Sequence, residues 1–344
     1  MGSAKEEEIH LVDHLKSVAG PDGLISYKTF IKEVLFAPKM GYYMKERSRV
    51  GRNSETDFYT AESLGLVFKK LVIAAIKKLL GDEDCGQFTF VEIGAEPGKG
   101  FFEKDDIGHH PFQDTKIIRS GQKIEIPPKS IVFANELLDA QPFHRLFYKN
   151  GRWKELGVRI VDKNGILSEE FLPELSNEVK ERLDDLPNEV DEGYQLDLPL
   201  ESEKLLESIV TQDWQGLIIL FDYGLSWEDL IYNHPQGTAR AYYKHKQHND
   251  LLANVGNQDI TCHICWDPLI KILKNYHFIK PILQRQESFF VHNANLVIEE
   301  IINIKMDKPV TGMRMGFNSD KQTLQELIHP GHMGHKFQVL WGRR

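Results

Sequence analysis

Three short runs constrain the fold more than anything else in the chain. Phe88 to Ile93 reads FTFVEI, Ile131 to Ala134 reads IVFA, and Leu217 to Phe221 reads LIILF. Each is apolar almost end to end. Each stops on polar residues and glycine, at Glu92/Gly94, Asn135/Glu136 and Asp222/Gly224. A strand with one wet face alternates apolar and polar residues, whereas a strand covered on both faces does not. The runs therefore predict an α/β fold built on a parallel sheet with helices on both sides. Such sheets gather ligands at the carboxyl ends of their strands.

Helical periodicity supplies the covering layers. Residues 5–19 and 26–36 read as amphipathic helices, the second with Ser26 as its N-cap and Pro38 and Gly41 after its end. Residues 61–80 form a longer helix with Leu64, Val67, Phe68, Leu71, Ala75, Ile76 and Leu79 as its apolar stripe. Further helices are expected at 201–213, 226–232, 266–275, 294–304 and 320–328. For the last of these, Ser319 and Gln322 suit a capping box. Strands are expected at 284–291 and 336–341, and an aromatic and basic loop at 238–248. Residues 144–172 differ, with short alternating runs around Asn150-Gly151 and Asn164-Gly165 that signal hairpins. They predict an antiparallel meander added to the core. The resulting division is a helical N-terminal segment at 1–85, a first part of the core at 86–143, the antiparallel insertion at 144–200, and the rest of the core with its loops at 201–344.

Charge and cysteine usage narrow the partners. Lys and Arg number 42 against 51 Asp and Glu, a formal charge of −9. A phosphate backbone needs a basic surface, so nucleic acid is not the expected partner. No apolar run approaches the roughly 18 residues of a membrane span. The acidic start lacks the pattern of a secretory or transit segment. Three cysteines in all suit a reducing compartment, and the expected location is cytoplasmic. Cys262-His263-Ile264-Cys265 has no second pair at zinc spacing. His329, His332 and His335 stand in a glycine-containing stretch without an acidic neighbour. No metal site is expected.

Three segments carry candidate chemistry. Glu92-Ile93-Gly94-Ala95-Glu96-Pro97-Gly98 follows the first apolar run, and its glycines permit a tight turn and close backbone approach to a ligand; a plain strand-to-helix turn is the alternative. Asn135-Glu136-Leu137-Leu138-Asp139-Ala140-Gln141-Pro142 clusters polar groups after the second run. Its carboxylates can accept paired hydrogen bonds from a guanidinium, or Asp139 can simply cap a helix. Arg240, Tyr242 and His263 lie where they can form a substrate wall or a solvated loop.

In order along the chain these segments resemble the MidA-like family of class I methyltransferases, which includes a mitochondrial complex I assembly methyltransferase. The resemblance runs from about residue 20 to the end. It rests on Gly23-Leu24-Ile25-Ser26-Tyr27, Pro38-Lys39-Met40-Gly41-Tyr42-Tyr43, Asp57-Phe58-Tyr59-Thr60-Ala61-Glu62, Glu92-Ile93-Gly94 and Asn135 to Pro142. It continues through Asp222-Tyr223-Gly224, Gly237-Thr238, Asp259-Ile260-Thr261 with His263, and Met333-Gly334 with Phe337. It implies a Rossmann-like core that binds S-adenosylmethionine and transfers methyl to a protein arginine, with a respiratory complex subunit as a candidate acceptor. The cofactor residues would be Asp57, Thr60, Glu92, Gly94, Ala95 and Gly98. The catalytic residues would be Asn135, Glu136 and Asp139, with Arg240, Tyr242 and His263 on the substrate side. The chain departs from the family in two places. Glu96 and Pro97 stand where the family loop has a central glycine, and no apolar strand ending in an acidic residue is visible between Gly100 and Asn135. A catalytically silent relative that binds a protein partner is the alternative.

Overall fold

The computed structural model describes residues 2–45, 65–95, 97–98, 100–102, 110–161, 166–303 and 314–344. The chain begins with α1 (Gly2–Ala19), β1 (Leu24–Ser26) and α2 (Tyr27–Phe36). The Ser26 hydroxyl accepts the Thr29 N–H at 3.1 Å, the cap that its sequence position predicts. Tyr27, Phe30, Ile31, Val34 and Leu35 form the buried stripe of α2. Next come α3 (Leu66–Leu80), β2 (Thr89–Ile93), β3 (Asp114–Ile118) and β4 (Lys129–Asn135). The middle of the chain carries β5 (His144–Lys149), β6 (Arg152–Val161), β7 (Ile166–Phe171), α4 (Asn177–Lys180) and β8 (Gln195–Leu198). After α5 (Leu200–Val210) and β9 (Gln215–Asp222) come β10 (Gly224–Leu225), α6 (Trp227–Tyr232), β11 (Arg240–Tyr243), β12 (Lys246–His248), β13 (Asp259–Thr261) and β14 (Ile264–Cys265). The chain finishes with α7 (Trp266–Asn275), β15 (Ile279–Arg285), α8 (Gln286–Asn293), α9 (Asn295–Asn303), α10 (Arg314–Ile328), α11 (Met333–Lys336) and β16 (Gln338–Arg343).

Six strands form the main sheet in the order β15-β16-β9-β4-β2-β3. β3, β2, β4 and β9 are parallel, and β16 runs antiparallel between β9 and β15. The apolar runs split between two cores because side chains alternate across a strand. Ile131, Phe133, Leu217, Ile219 and Phe221 face a core shared with α3, α8, α9 and α10. Val132, Ala134, Ile218 and Leu220 face the other, with α5 and α7. Burial on both faces is the reason that no polar alternation appears in the sequence.

A second sheet of five strands is antiparallel, in the order β1-β6-β5-β8 with β7 on β6. β1 reaches it from the N-terminal region, pairing Ile25 with Val158. α1 and α2 pack on one of its faces with Leu156, Val158 and Ile160. A small sheet in the order β12-β11-β13 closes the same core through Ala241 and Ile260. Residues 136–143 link the parallel sheet to the antiparallel one, so the polar segment after β4 lies at the joint between them.

Several expectations need correction. Between Gly100 and Asn135, where no apolar strand is visible in the sequence, the structure has β3, hydrogen-bonded to β2 along its length. It was hard to see because only Ile118 of its five residues is fully buried. It ends at Ile118-Arg119, without an acidic residue. The stretch 238–248 is a hairpin, with Lys244 and His245 both at positive φ in its turn. The strand expected at 284–291 lies earlier, and Phe289 and Phe290 belong to α8, which turns them into the core. α10 starts at Arg314, so Ser319 lies inside the helix and not at its N-terminus. Asn164-Gly165 and the expected start of the 61–80 helix lie outside the described residues.

Candidate functional site

Strand pairing assembles the site. Ile93 lies beside Ala134 and Ile118, and Asn135 beside Phe221. The residues after β2, β4 and β9 therefore emerge side by side at the carboxyl edge. Gly94 has φ +91° and donates its N–H to the Ile118 carbonyl at 2.9 Å. A Cβ there would lie 2.8 Å from Cδ1 of Leu137. The glycine turn and the segment after β4 thus touch, and a side chain at 94 would part them.

Glu92 closes the turn. Its carboxylate is buried, and Oε2 accepts the Phe101 N–H at 2.6 Å. The Phe101 ring packs between Phe90 and Phe133, with centroids 5.3 and 5.0 Å away. Both ends of the loop are therefore held, one by a strand and one by a buried ring. Gly98 has φ +69°, no described residue beyond its chain neighbours lies within 4 Å of where its Cβ would stand, and Ala95 is buried.

The segment after β4 is strained and polar. Glu136 sits at φ +52° with its N–H on the Phe221 carbonyl at 2.8 Å. A left-handed conformation at a non-glycine residue costs about 1–2 kcal/mol, and such strain concentrates at functional sites. Asn135 donates Nδ2–H to Glu136 Oε1 at 3.1 Å, while its own Oδ1 is buried without a hydrogen-bond partner. Asp222, at the end of β9, holds the 136–139 turn in place. Its Oδ2 accepts the N–H groups of Leu138 and Asp139 at 2.9 and 3.3 Å, and its Oδ1 that of Tyr223 at 2.9 Å. Asp139 is 3% exposed. The Tyr223 phenol hydrogen-bonds its carboxyl group, but its Oδ1 has no partner. Burial, reinforced by the Asp222 charge, pushes the Asp139 carboxyl well above the usual carboxylate range. Burial also raises Asp222, to about 7, although its backbone N–H partners pull the other way.

The third group meets the second. The Asp139 carbonyl accepts the Cys262 N–H at 3.0 Å, which brings His263 to the site. The His263 ring lies edge-on to Tyr223 at 5.4 Å, and its Nδ1 is buried without a partner. Burial lowers its pKa to about 4, so the imidazole is neutral at pH 7. Tyr242 faces Asp139 and Asp259, whose charges add to burial in raising its phenol. Arg240 turns onto its own backbone, donating to the carbonyls of Gly237 and Ala239 at 3.3 and 2.6 Å.

The structure therefore brings together Glu92, Gly94, Ala95, Asn135, Glu136, Asp139, Tyr242 and His263. Arg240 is spent on its own turn. Asp57, Thr60 and Glu96 lie outside the described residues. Residue-level reading missed Asp222 as the anchor of the 136–139 turn and Tyr223 beside Asp139. It also missed Tyr43, whose phenol donates to Asp259 Oδ1 at 2.7 Å across 216 residues of sequence. Asp222 was discoverable, as the polar stop of the third apolar run. Cys262 and Cys265 are free and buried in different cores. Among the described residues no group of three or more His, Cys, Asp or Glu is placed to hold a metal ion. Nor is any helix among them long and apolar enough to cross a membrane.

Residues 114–282 match a family model described as "Putative S-adenosyl-L-methionine-dependent methyltransferase". The chain is similar to the Drosophila melanogaster protein arginine methyltransferase NDUFAF7 homolog, mitochondrial, at 23% identity over 98% of this chain and 86% of the relative. It is also similar to the Xenopus tropicalis protein arginine methyltransferase NDUFAF7, mitochondrial, at 21% identity over 93% and 80%. These relatives are mitochondrial, which overturns the cytoplasmic location expected from the sequence. In fold it matches a candidate methyl transferase from Burkholderia thailandensis bound to S-adenosyl-homocysteine, with TM-score 0.84, 22% identity, and coverage of 99% of this chain and 93% of that one. A native structure of a Burkholderia thailandensis protein gives TM-score 0.80 at 21% identity, over 99% and 93% of the two chains.

Proposed function

We infer that this chain is a divergent member of the MidA-like family of S-adenosyl-L-methionine-dependent methyltransferases, and that its methyl acceptor is a protein arginine. One observation carries the acceptor reading. The end of β4 and the turn after it bury two acceptor oxygens without hydrogen-bond partners, Asn135 Oδ1 and Asp139 Oδ1, in the segment that touches the glycine turn through Leu137. A guanidinium is made only of donors and would satisfy both. The relatives named as protein arginine methyltransferases support this choice, and a respiratory complex subunit is the acceptor the resemblance favours.

The residues at the glycine turn fit the cofactor. Gly94 and Gly98 both have positive φ, no described residue crowds Gly98, and Glu92 closes the loop from inside. We assign Glu92, Gly94, Ala95 and Gly98 to the cofactor side, with Asp57 and Thr60 as further candidates. When bound, the cofactor supplies an electrophilic methyl on a sulfonium. The chain's task is then orientation and charge. Asn135, Glu136 and Asp139 hold the acceptor nitrogen, and Tyr242 and His263 wall the site. Isothermal titration with S-adenosylmethionine and S-adenosylhomocysteine tests the reading. Micromolar binding that is lost in Gly94→Leu is expected. No binding up to millimolar concentration, with the protein folded, would instead favour a silent partner-binding relative. Glu136→Ala should abolish transfer.

A further inference from the structure

The buried acids at the joint between the sheets are unusual in having no cation beside them among the described residues. Asp222 is satisfied by three backbone N–H groups, which favour its charged form. Asp139 is bonded to the same turn through its main chain, but its Oδ1 receives nothing. The groups that face the pair come from four directions. Tyr43 comes from the N-terminal region, Tyr223 from the end of β9, Tyr242 from β11, and Cys262 from the link between β13 and β14. Asp259 and Glu136 lie next to two of those tyrosines. None of these groups carries positive charge. The nearby cations are engaged elsewhere, Arg240 with its own turn and Arg145 with Asp197, and His263, edge-on to Tyr223, is held neutral at pH 7 by burial. Two carboxylates buried at one turn, that of Asp222 bonded to the main-chain N–H of Asp139, cannot both ionise cheaply.

We propose that Asp139 and Asp222 hold one proton between them, and that the cationic acceptor group binds by displacing it. The exchange balances. A guanidinium enters with one positive charge, Asp139 loses one proton to solvent, and an ion pair replaces a neutral acid. Asp222 is a positioning residue in this scheme, because its three N–H bonds keep it the anion and leave Asp139 as the member that carries the proton. The raised position of both carboxyls agrees with this order. The proposal rests on the arginine-acceptor reading for its ligand, though not for the shared proton. Acceptor affinity therefore rises with pH until the pair is fully ionised, up to tenfold per unit, while cofactor affinity does not.

The test is a carboxyl-carbon NMR titration of the whole protein labelled with [13C]aspartate, alone and with methylguanidinium chloride. Tetramethylammonium chloride, a cation without N–H donors, is the control. One aspartate signal, absent in Asp139→Asn, should titrate at neutral pH or above. Methylguanidinium should lower its midpoint by about one unit or more, and tetramethylammonium should not. The proposal is overturned if every aspartate is ionised by about pH 5, or if the two cations act alike. The wild-type titration decides this even if the variant fails to fold. S-adenosylhomocysteine binding, measured in parallel, tests the methyltransferase reading separately. Its loss would leave the proton exchange to stand or fall on the carboxyl signal.

Discussion

Two of the places where this protein buries carboxylates treat them in opposite ways. In the antiparallel sheet the buried acids are fully partnered. Asp197 takes the Arg145 Nε–H at 2.8 Å, and the N–H groups of Thr238 and Ala239 at 2.8 Å each. Arg145 also stacks over the Tyr27 ring, whose hydroxyl bonds Glu169. Glu155 takes His144 Nδ1 at 2.7 Å and the Ser176 N–H at 2.6 Å. At the edge of the parallel sheet Asp139 and Asp222 share a turn, and no described cation joins them. A satisfied buried network specifies a structure, whereas an unsatisfied one costs stability. The first region is architecture. In the function proposed above, the second tolerates its cost because a ligand completes it.

The largest effect should fall on the satisfied side. Asp197→Ala strands Arg145 and two N–H groups, and should cost about 3–5 kcal/mol in urea unfolding. A loss below about 1 kcal/mol would erase the contrast. Asp139→Asn should reverse the pattern. It should lose no more than about 1 kcal/mol of stability at any pH, while methyl transfer to an arginine acceptor falls roughly 100-fold or more; comparable transfer by the variant would put Asp139 among structural residues. Gly94→Ala comes next. With a Cβ at 2.8 Å from Leu137 and φ at +91°, it should destabilise by about 1–3 kcal/mol and weaken S-adenosylhomocysteine binding in calorimetry.

The smallest effect is a pH slope. For the acid pair the folded carboxyls are raised, Asp222 to about 7. Their contribution to stability is therefore present at low pH and is lost as pH rises from the usual carboxylate range through about 7. His263, lowered to about 4, does the reverse. Its contribution is present above the ordinary histidine value and is lost as pH falls through about 4. Asp139→Asn relieves the first and leaves the second. The variant should gain on the wild type by about 1 kcal/mol between about pH 5 and pH 7, the worth of a one-unit shift. Parallel profiles in thermal unfolding would argue that the pair does not share a proton.

Legibility followed burial. β2, β4 and β9 were readable because both of their faces are covered, so their residues are apolar without interruption. β3 was not, because it is an edge strand with partly exposed Thr115 and Lys116. Phe289 and Phe290 misled because a short apolar run reads alike in a buried helix and a strand. The 240–248 hairpin was hidden by its turn, since Lys244 and His245 adopt positive φ without a glycine to announce it. At the site, Asn135, Glu136 and Asp139 were visible as polar residues closing an apolar run. Tyr43 and Asp259 were visible only as pieces of a resemblance, and nothing in either segment signals that they bond.

By itself, then, the sequence determined the covered parallel strands, the helices around them and the polar character of the strand ends. All of these are set by local periodicity and by residue chemistry within one element. Tertiary structure alone decided which carboxylates acquire a cation and which do not. Asp197 and Asp139 are both lone acids in apolar surroundings along the chain. Only the pairing of β5 with β8 brings Arg145 to the first, and only the meeting of β4 with β9 brings Asp222, another acid, to the second. Charge pairing depends on distance in space, and local sequence does not encode that distance.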